Sequence, residues 1–442
     1  MRLRVMVGCL ALAGLAVGVS GCASRSTYSA PELVKPAAWS QVPAADGAAS
    51  AAGAPVTPRD AARPEAWWAV LHDPQLDRLM RMALDSNNSL AQAILKAQRA
   101  RLSAAQAESD RLPTVSAKGT STATRTIGED GTTRAHSATL LASWELDLWG
   151  RLSALRDAAD FEAQATDADR AATALSLTAS VANAWWQLGY LNQRVTAAED
   201  SLAYAQQTLK LVESQYAAGS TSGLERAQAR QTVASQEAAV VDWQRQRAVA
   251  RNTLALLVDG PPGADSPVRA VPELARLPDG ALPAVQPGLP AQLLTRRPDL
   301  MASELRLRKT LATGDATRTA YYPTLSLTGE LYGSSNTLTE VLKNPQAILG
   351  AGLSLPFIQW RDMQRAKAIA QNDYDTAVVA YRQSWYQALA DVDNALNARQ
   401  QYALQGERLQ ASLDAALAAE RLAEARYRAG LVALKTWLDA QE

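Results

Sequence analysis

Several residue types that mark common protein classes are scarce in this sequence. Only two histidines, His72 and His136, occur in 442 residues, and neither belongs to a metal-ligand pattern. No nucleophile elbow or phosphate-binding loop can be found either. The sequence therefore gives no support for an enzyme, and it predicts no metal or other cofactor.

A net charge is also missing. The 44 basic side chains are balanced by 44 acidic ones. This balance removes the usual electrostatic argument for nucleic acid, for an anionic membrane surface or for an acidic substrate. We predict no nucleic-acid partner, and the actual partners must be inferred from other features.

Cysteine is limited to Cys9 and Cys22. Basic residues at the start precede an apolar run over residues 5–19, which is too short for a membrane-spanning helix and is typical of a secretory signal peptide, predicted as 1–21. The small residues before Cys22 resemble a bacterial lipobox, which implies that Cys22 is lipidated and begins the mature chain. The alternative is an ordinary signal peptide with an incidental cysteine.

The segment that follows, residues 22–63, is rich in Ala, Pro, Ser and Gly and has little periodicity. We predict a lipid-anchored extended tether.

What the chain has in abundance is alanine-rich helical sequence in two similar halves. The matching segments lie 210 to 213 positions apart and keep the same order: Leu112–Ser116 with Tyr322–Ser326, Asn88–Leu90 with Pro298–Leu300, Tyr216–Gly219 with Tyr427–Gly430, and Ala227–Gln228 with Ala440–Gln441. An ordered set of matches indicates a tandem duplication. The predicted parts are a first repeat (64–258), a connector (259–290) and a second repeat (291–442).

Long helices dominate each repeat. Residues 74–110 and 291–319 are helical in period, and residues 151–217 and 361–428 each lack proline, so the last two predict helices of about 100 Å. Apolar residues at three- and four-residue spacing indicate coiled-coil seams, in which Glu420 is the exception. A glycine follows each long helix and predicts a hairpin tip.

Strand patterns lie between the helices. Polar or small residues alternate with apolar ones over 138–148 and 349–357. This pattern suits a strand of a membrane barrel, and it equally suits a half-buried strand of a soluble sheet. Four strands cannot close a barrel, so a membrane location would require several chains.

The second repeat ends early. Roughly 30 residues of helical sequence follow Gln228, whereas one residue follows Gln441. We expect the last helix of the second repeat to be truncated.

These features together resemble the TolC-like outer-membrane factors, in particular their lipoprotein branch, the NodT type. The resemblance is carried by Cys22, by Arg297-Pro298-Asp299-Leu300, by two Pro-Thr strand starts, by Tyr-x-x-Gly at both tips and by Leu438-Asp439-Ala440-Gln441. It implies a mixed α+β membrane protein. Three chains with four strands each would form a twelve-stranded β-barrel, continued by an α-helical coiled-coil tunnel.

The function implied by the resemblance is a passive outer-membrane exit duct of a tripartite efflux or secretion system. The homotrimer would be anchored by lipid in the outer membrane and extend into the periplasm. Its partners would be a periplasmic membrane-fusion adaptor and an inner-membrane pump, as in systems that confer antibiotic resistance. The sequence does not indicate the exported substrate.

The resemblance also implies site residues. Asp439 and Arg428 fall on the positions of the pore gate, and the tip residues Gly219, Ser220, Gly430 and Leu431 fall on the adaptor-docking positions. From the residues alone, Asp439 could be a solvated carboxylate and Arg428 a helix-end cation. A lipid-anchored periplasmic coiled-coil adaptor or scaffold is the alternative function.

Overall fold

The computed structural model describes residues 25–40, 64–128, 130–280, 283, 288 and 290–441. Cys22, the predicted signal peptide and much of the predicted tether lie outside these residues. The α-helices longer than one turn are α1 (Pro74–Ser86), α2 (Asn88–Ser109), α3 (Arg151–Ala217), α4 (Gly223–Leu257), α5 (Pro298–Thr319), α6 (Trp360–Arg428) and α7 (Leu434–Gln441). The strands are β1 (Thr114–Thr124), β2 (Thr133–Leu146), β3 (Thr324–Ser335) and β4 (Gln346–Ser354).

The chain forms two compact units. The sheet unit contains the described residues up to Val34, together with Ala93–Arg170 and Arg297–Gln387. The hairpin unit contains the described residues of Lys35–Gln92, Ala171–Arg296 and Ala388–Glu442.

An extensive core lies in the hairpin unit, where α1, the middle of α3 and the end of α4 bury apolar side chains. Trp185 is 1 % exposed, and its indole Nε1 donates a hydrogen bond to Asp73 Oδ2 at 2.8 Å. The other carboxylate oxygen of Asp73 accepts from the backbone N–H groups of Gln75 and Leu76, which caps α1. One side chain therefore both starts a helix and satisfies the buried indole.

The helix predicted over 74–110 is interrupted at Asn87. This residue has an extended backbone, and its side chain accepts from the backbone N–H of Leu90 at 3.0 Å and donates to the carbonyl of Leu257 at 2.9 Å. Asn87 thus caps α2 and ties its start to α4. A continuous helix would leave this buried amide without these partners.

The sheet unit carries one antiparallel sheet in the order β1-β2-β3-β4. β1 and β3 each begin immediately after a proline, at Thr114 and Thr324. β2 ends at Leu146, earlier than its alternating pattern, because the carboxylate of Asp147 accepts hydrogen bonds from the backbone of Leu152 and Ser153 and so caps α3.

The four helices that join the strands all meet the sheet at the same end. α2 and α5 lead into β1 and β3, while α3 and α6 follow β2 and β4. Two tryptophans mark this end: Trp144 Nε1 donates to the carbonyl of Arg111 at 3.0 Å, and Trp149 Nε1 donates to that of Pro323 at 2.8 Å. Each indole thus bonds to the chain shortly before a strand begins.

Farther from the sheet, α3 and α5 pack closely through small residues. Ala165, Ala168 and Ala302 form a buried cluster. Around it, Lys309 pairs with Glu162 at 2.9 Å, and Arg306 forms an ion pair with Asp169. These two cations of α5 therefore engage acids of α3 within the same chain.

Residues 25–34, which we call the strap, run along the sheet unit without helix or strand. The carboxylate of Asp315, which is 6 % exposed, accepts from the Ser26 backbone N–H at 2.7 Å and from its hydroxyl at 2.6 Å. Arg25 pairs with Asp157 at 2.8 Å. At the far end, Trp385 Nε1 donates to the Val34 carbonyl at 2.9 Å. The strap is therefore bound to α3, α5 and α6.

Among the described residues, no helix combines the length and apolar character needed to cross a bilayer.

Candidate gate and hairpin tips

Both hairpin tips use the same helix-ending motif. At the first tip, Ser220 N–H donates to the Gln215 carbonyl and Gly219 N–H donates to the Tyr216 carbonyl, at 2.9 and 3.0 Å. Leu431 and Gly430 make the equivalent bonds at the second tip, both at 2.9 Å. This is a Schellman motif, which needs a left-handed residue; Gly219 has φ 73° and Gly430 has φ 71°.

The first tip is closed by a capping box. Ser222 Oγ accepts from Glu225 N–H at 3.3 Å, while the Glu225 carboxylate accepts from Ser222 N–H at 3.1 Å and from the Thr221 hydroxyl. The Thr221 hydrogen bond, followed by that of the Ser222 backbone, lowers the pKa of Glu225. The hydrogen bonds of the folded tip therefore favour the ionised form of Glu225.

The second tip has a small core of its own. Trp437 on α7 is 2 % exposed and stacks on Tyr427 of α6, with ring centroids 5.3 Å apart. The Tyr427 hydroxyl donates to Gln215 Oε1 at 2.6 Å. This contact joins α6 to the end of α3, next to the first tip.

Glu420, the exception in the apolar seam, is explained by this core. Its Oε1 accepts from the Tyr204 hydroxyl at 2.6 Å and from Trp437 Nε1 at 2.9 Å. Burial and the nearby Glu420 carboxylate raise the pKa of Tyr204 to about 12, which keeps this tyrosine a donor. One carboxylate thus fastens α3, α6 and α7 together.

The two predicted gate residues lie in this region on separate helices. Arg428 is the last residue of α6 and pairs with Glu424 at 2.7 Å, and Asp439 on α7 pairs with Lys435 at 2.6 Å. Each therefore has a partner four positions earlier on its own helix. Their side chains are 64 % and 56 % exposed, so both charges face open space around the tip.

Leu431, a predicted docking residue, is 73 % exposed, and Leu224 beside the first tip is 68 % exposed. Each tip thus presents an exposed leucine. Cys22, the predicted lipidation residue, lies outside the described residues. Within the part of the chain that the structure describes, no cluster of His, Cys, Asp or Glu is arranged to bind a metal ion.

Comparison with known proteins identifies the family. A profile of the outer membrane efflux protein family matches residues 79–260 and 289–442. The pyoverdine export outer membrane protein OpmQ of Pseudomonas putida KT2440 is 32 % identical, over 98 % of this chain and 90 % of OpmQ. The antibiotic efflux pump outer membrane protein ArpC of Pseudomonas putida is 31 % identical, over 98 % of this chain and 89 % of ArpC.

A solved structure agrees. The outer membrane channel MtrE of Neisseria gonorrhoeae, in its open state, superposes with a TM-score of 0.73 at 27 % identity, covering 95 % of this chain and 92 % of MtrE. The resemblance, the fold and the outer-membrane location expected from the sequence are thereby confirmed. The chain belongs to the outer membrane efflux protein family.

Proposed function

We propose that this chain is the protomer of a homotrimeric, passive exit duct for small molecules in the outer membrane. Four strands from each of three copies would close a twelve-stranded barrel. A periplasmic adaptor and an inner-membrane pump would deliver the cargo, and the duct itself would perform no chemical reaction.

The observation that carries this proposal is the pair of unpaired sheet edges. Within the described residues, β1 pairs only with β2, and β4 pairs only with β3. Every residue of β1 and β4 is exposed, including Val115, Leu349 and Leu353. Lipid does not tolerate open edges, whereas β4 of one copy can pair with β1 of the next and continue the antiparallel order.

The tips support the proposed docking role. Gly219 and Gly430 give each hairpin the same turn, and Leu431 and Leu224 expose apolar surface beside it. An adaptor that contacts the tips of both repeats would bind two similar surfaces on every copy. Gly219, Ser220, Gly430 and Leu431 are the residues proposed to contact it.

Asp439 and Arg428 are proposed to line the periplasmic entrance. Repeated three times around a narrow opening, the Asp439 carboxylate would favour cations. The test is single-channel conductance of the purified protein in planar bilayers, with Asp439→Ala beside Asp414→Ala. Asp414 is the matched control because it is also exposed and also has a partner four positions earlier.

We expect conducting, cation-preferring pores in the parent and in Asp414→Ala, and a weaker cation preference or a larger conductance in Asp439→Ala. Equal behaviour of both variants would reject Asp439 as a gate residue and leave the duct standing. Soluble monomers that never conduct would reject the duct and favour a lipid-anchored periplasmic scaffold.

A further inference from the structure

A cationic surface on α2 has no partner among the residues of its own chain that the structure describes. Lys96 and Arg99 are exposed, and neither forms an ion pair or a hydrogen bond with any described residue. They line a groove of about 510 Å³ together with Arg306 and Lys309. The acids of this groove, Glu162 and Asp169, are already paired with these two α5 cations.

On the face of α2 that carries Arg99, apolar side chains lie on both sides of this charge along the helix. Leu95 and Leu102 stand four residues before and three residues after Arg99, so all three lie on one side of the helix. These leucines are 63 % and 71 % exposed. Apolar side chains that flank a cation form a surface suited to a helix carrying apolar residues and an acid.

α6 carries such a surface. Asp373 is exposed and has no ion pair or hydrogen bond within the described residues. Ile369, four residues earlier on the same face, is 62 % exposed. Both residues belong to the sheet unit, as do Lys96 and Arg99.

The two surfaces also lie at the same depth below the sheet. Lys96 is thirteen residues from the sheet-proximal end of α2, and Asp373 is thirteen residues from the sheet-proximal end of α6. At 1.5 Å per residue, each is about 20 Å from the end of its helix, and Arg99 is about 15 Å from it. α2 leads into edge strand β1 and α6 follows edge strand β4.

We propose that α6 of one copy packs against α2 of the next copy, with Asp373 bound to Lys96 and Arg99 of that next copy. This inference rests on the proposed trimer, because pairing β4 with β1 of a neighbour places α6 beside the neighbour's α2. The ion pairs extend the contact between copies from the strands into the helices and help to fix its register.

Cysteine cross-linking tests the contact directly. The full chain carrying Lys96→Cys and Asp373→Cys is compared in outer membranes with one carrying Asp160→Cys and Asp373→Cys. Asp160 is an exposed acid on α3, which follows the inner strand β2. Under mild oxidation, we expect covalent dimers and trimers with the first pair and monomers with the second.

Charge reversal tests the ion pairs. Lys96→Glu with Arg99→Glu is expected to lower the temperature at which detergent-resistant trimers dissociate, and adding Asp373→Lys is expected to restore it. Adding Asp160→Lys changes the charge equally and should not restore it. Such selective rescue cannot come from a general folding defect.

Trimers that show neither the cross-link nor the rescue would overturn this contact, while the conducting duct would stand. If the parent chain forms no trimers at all, the proposed function itself fails, and the α2–α6 contact fails with it.

Discussion

At the scale of single residues, the carboxylate of Glu225 shows how one charge supports a hairpin tip. Its pKa is lowered by the Thr221 hydroxyl and the Ser222 backbone, so the ionised form is favoured in the folded tip. This stabilisation is fully present at a pH above the ordinary glutamate pKa of about 4.5. It is lost as the pH falls through the lowered pKa of Glu225.

We therefore expect the first tip of the parent to open more readily at pH 3 than at pH 7. Glu225→Gln should already be more open at pH 7 and should change less with pH. Amide hydrogen exchange of residues 218–226 measures this opening. Glu237→Gln, an exposed carboxylate on the same helix, is the control. An unchanged pH dependence in Glu225→Gln would contradict the assignment.

Some of this residue-level detail can be predicted from the sequence and some cannot. Gly219 and Gly430 are recognisable because a left-handed helix end favours glycine. The role of Glu420 is not, since its partner Tyr204 lies 216 positions away. From the sequence alone, Glu420 is only a charged residue that interrupts an apolar coiled-coil seam.

At the scale of elements, replacing either of two glycines inside long helices by alanine should change stability in opposite directions. A Cβ on Gly406 of α6 would meet nothing within 4 Å, whereas one on Gly189 of α3 would lie 2.6 Å from Leu274 Cδ2. Gly406→Ala should stabilise by up to ~1 kcal/mol through helix propensity. Gly189→Ala should lower stability because overpacking costs about 1–3 kcal/mol.

Thermal unfolding midpoints of the two variants in the same detergent would check this pair. The variants make the same chemical change in helices of similar length, so each serves as the control for the other. A rise in both midpoints would show that Leu274 moves aside without cost.

Helices with local signals were predictable, and their long-range interruptions were not. α3 has the bounds predicted from the sequence, 151–217, because no proline breaks it and a glycine follows it. The break at Asn87 was missed because it depends on the carbonyl of Leu257, 170 positions away. In the same way, the packing of the strap on Asp315 has no signature in the sequence, because Ser26 lies 289 positions before Asp315.

At the scale of the whole molecule, the strap limits the distance between the folded protein and the lipid that the sequence predicts on Cys22. Arg25 is held by Asp157, and three residues of extended chain reach only about 10 Å. We predict that Cys22→Ser abolishes lipid labelling but leaves the protein in the outer-membrane fraction, because the barrel holds it there. Cys9→Ser, within the predicted signal peptide, is the control.

Release of Cys22→Ser as a soluble monomer would contradict this expectation and would favour the scaffold. Membrane fractionation after metabolic labelling with a fatty acid distinguishes the two outcomes.

The open edges of β1 and β4 have a consequence for biogenesis. A single copy that enters lipid alone carries two rows of unsatisfied backbone groups, so its insertion is uphill until neighbours arrive. Folding and assembly then become one event whose yield depends steeply on the local concentration of chains. Dilution alone would therefore shift the equilibrium towards unfolded, unassembled chains, as a denaturant does. The cell must deliver the copies close together in space and time.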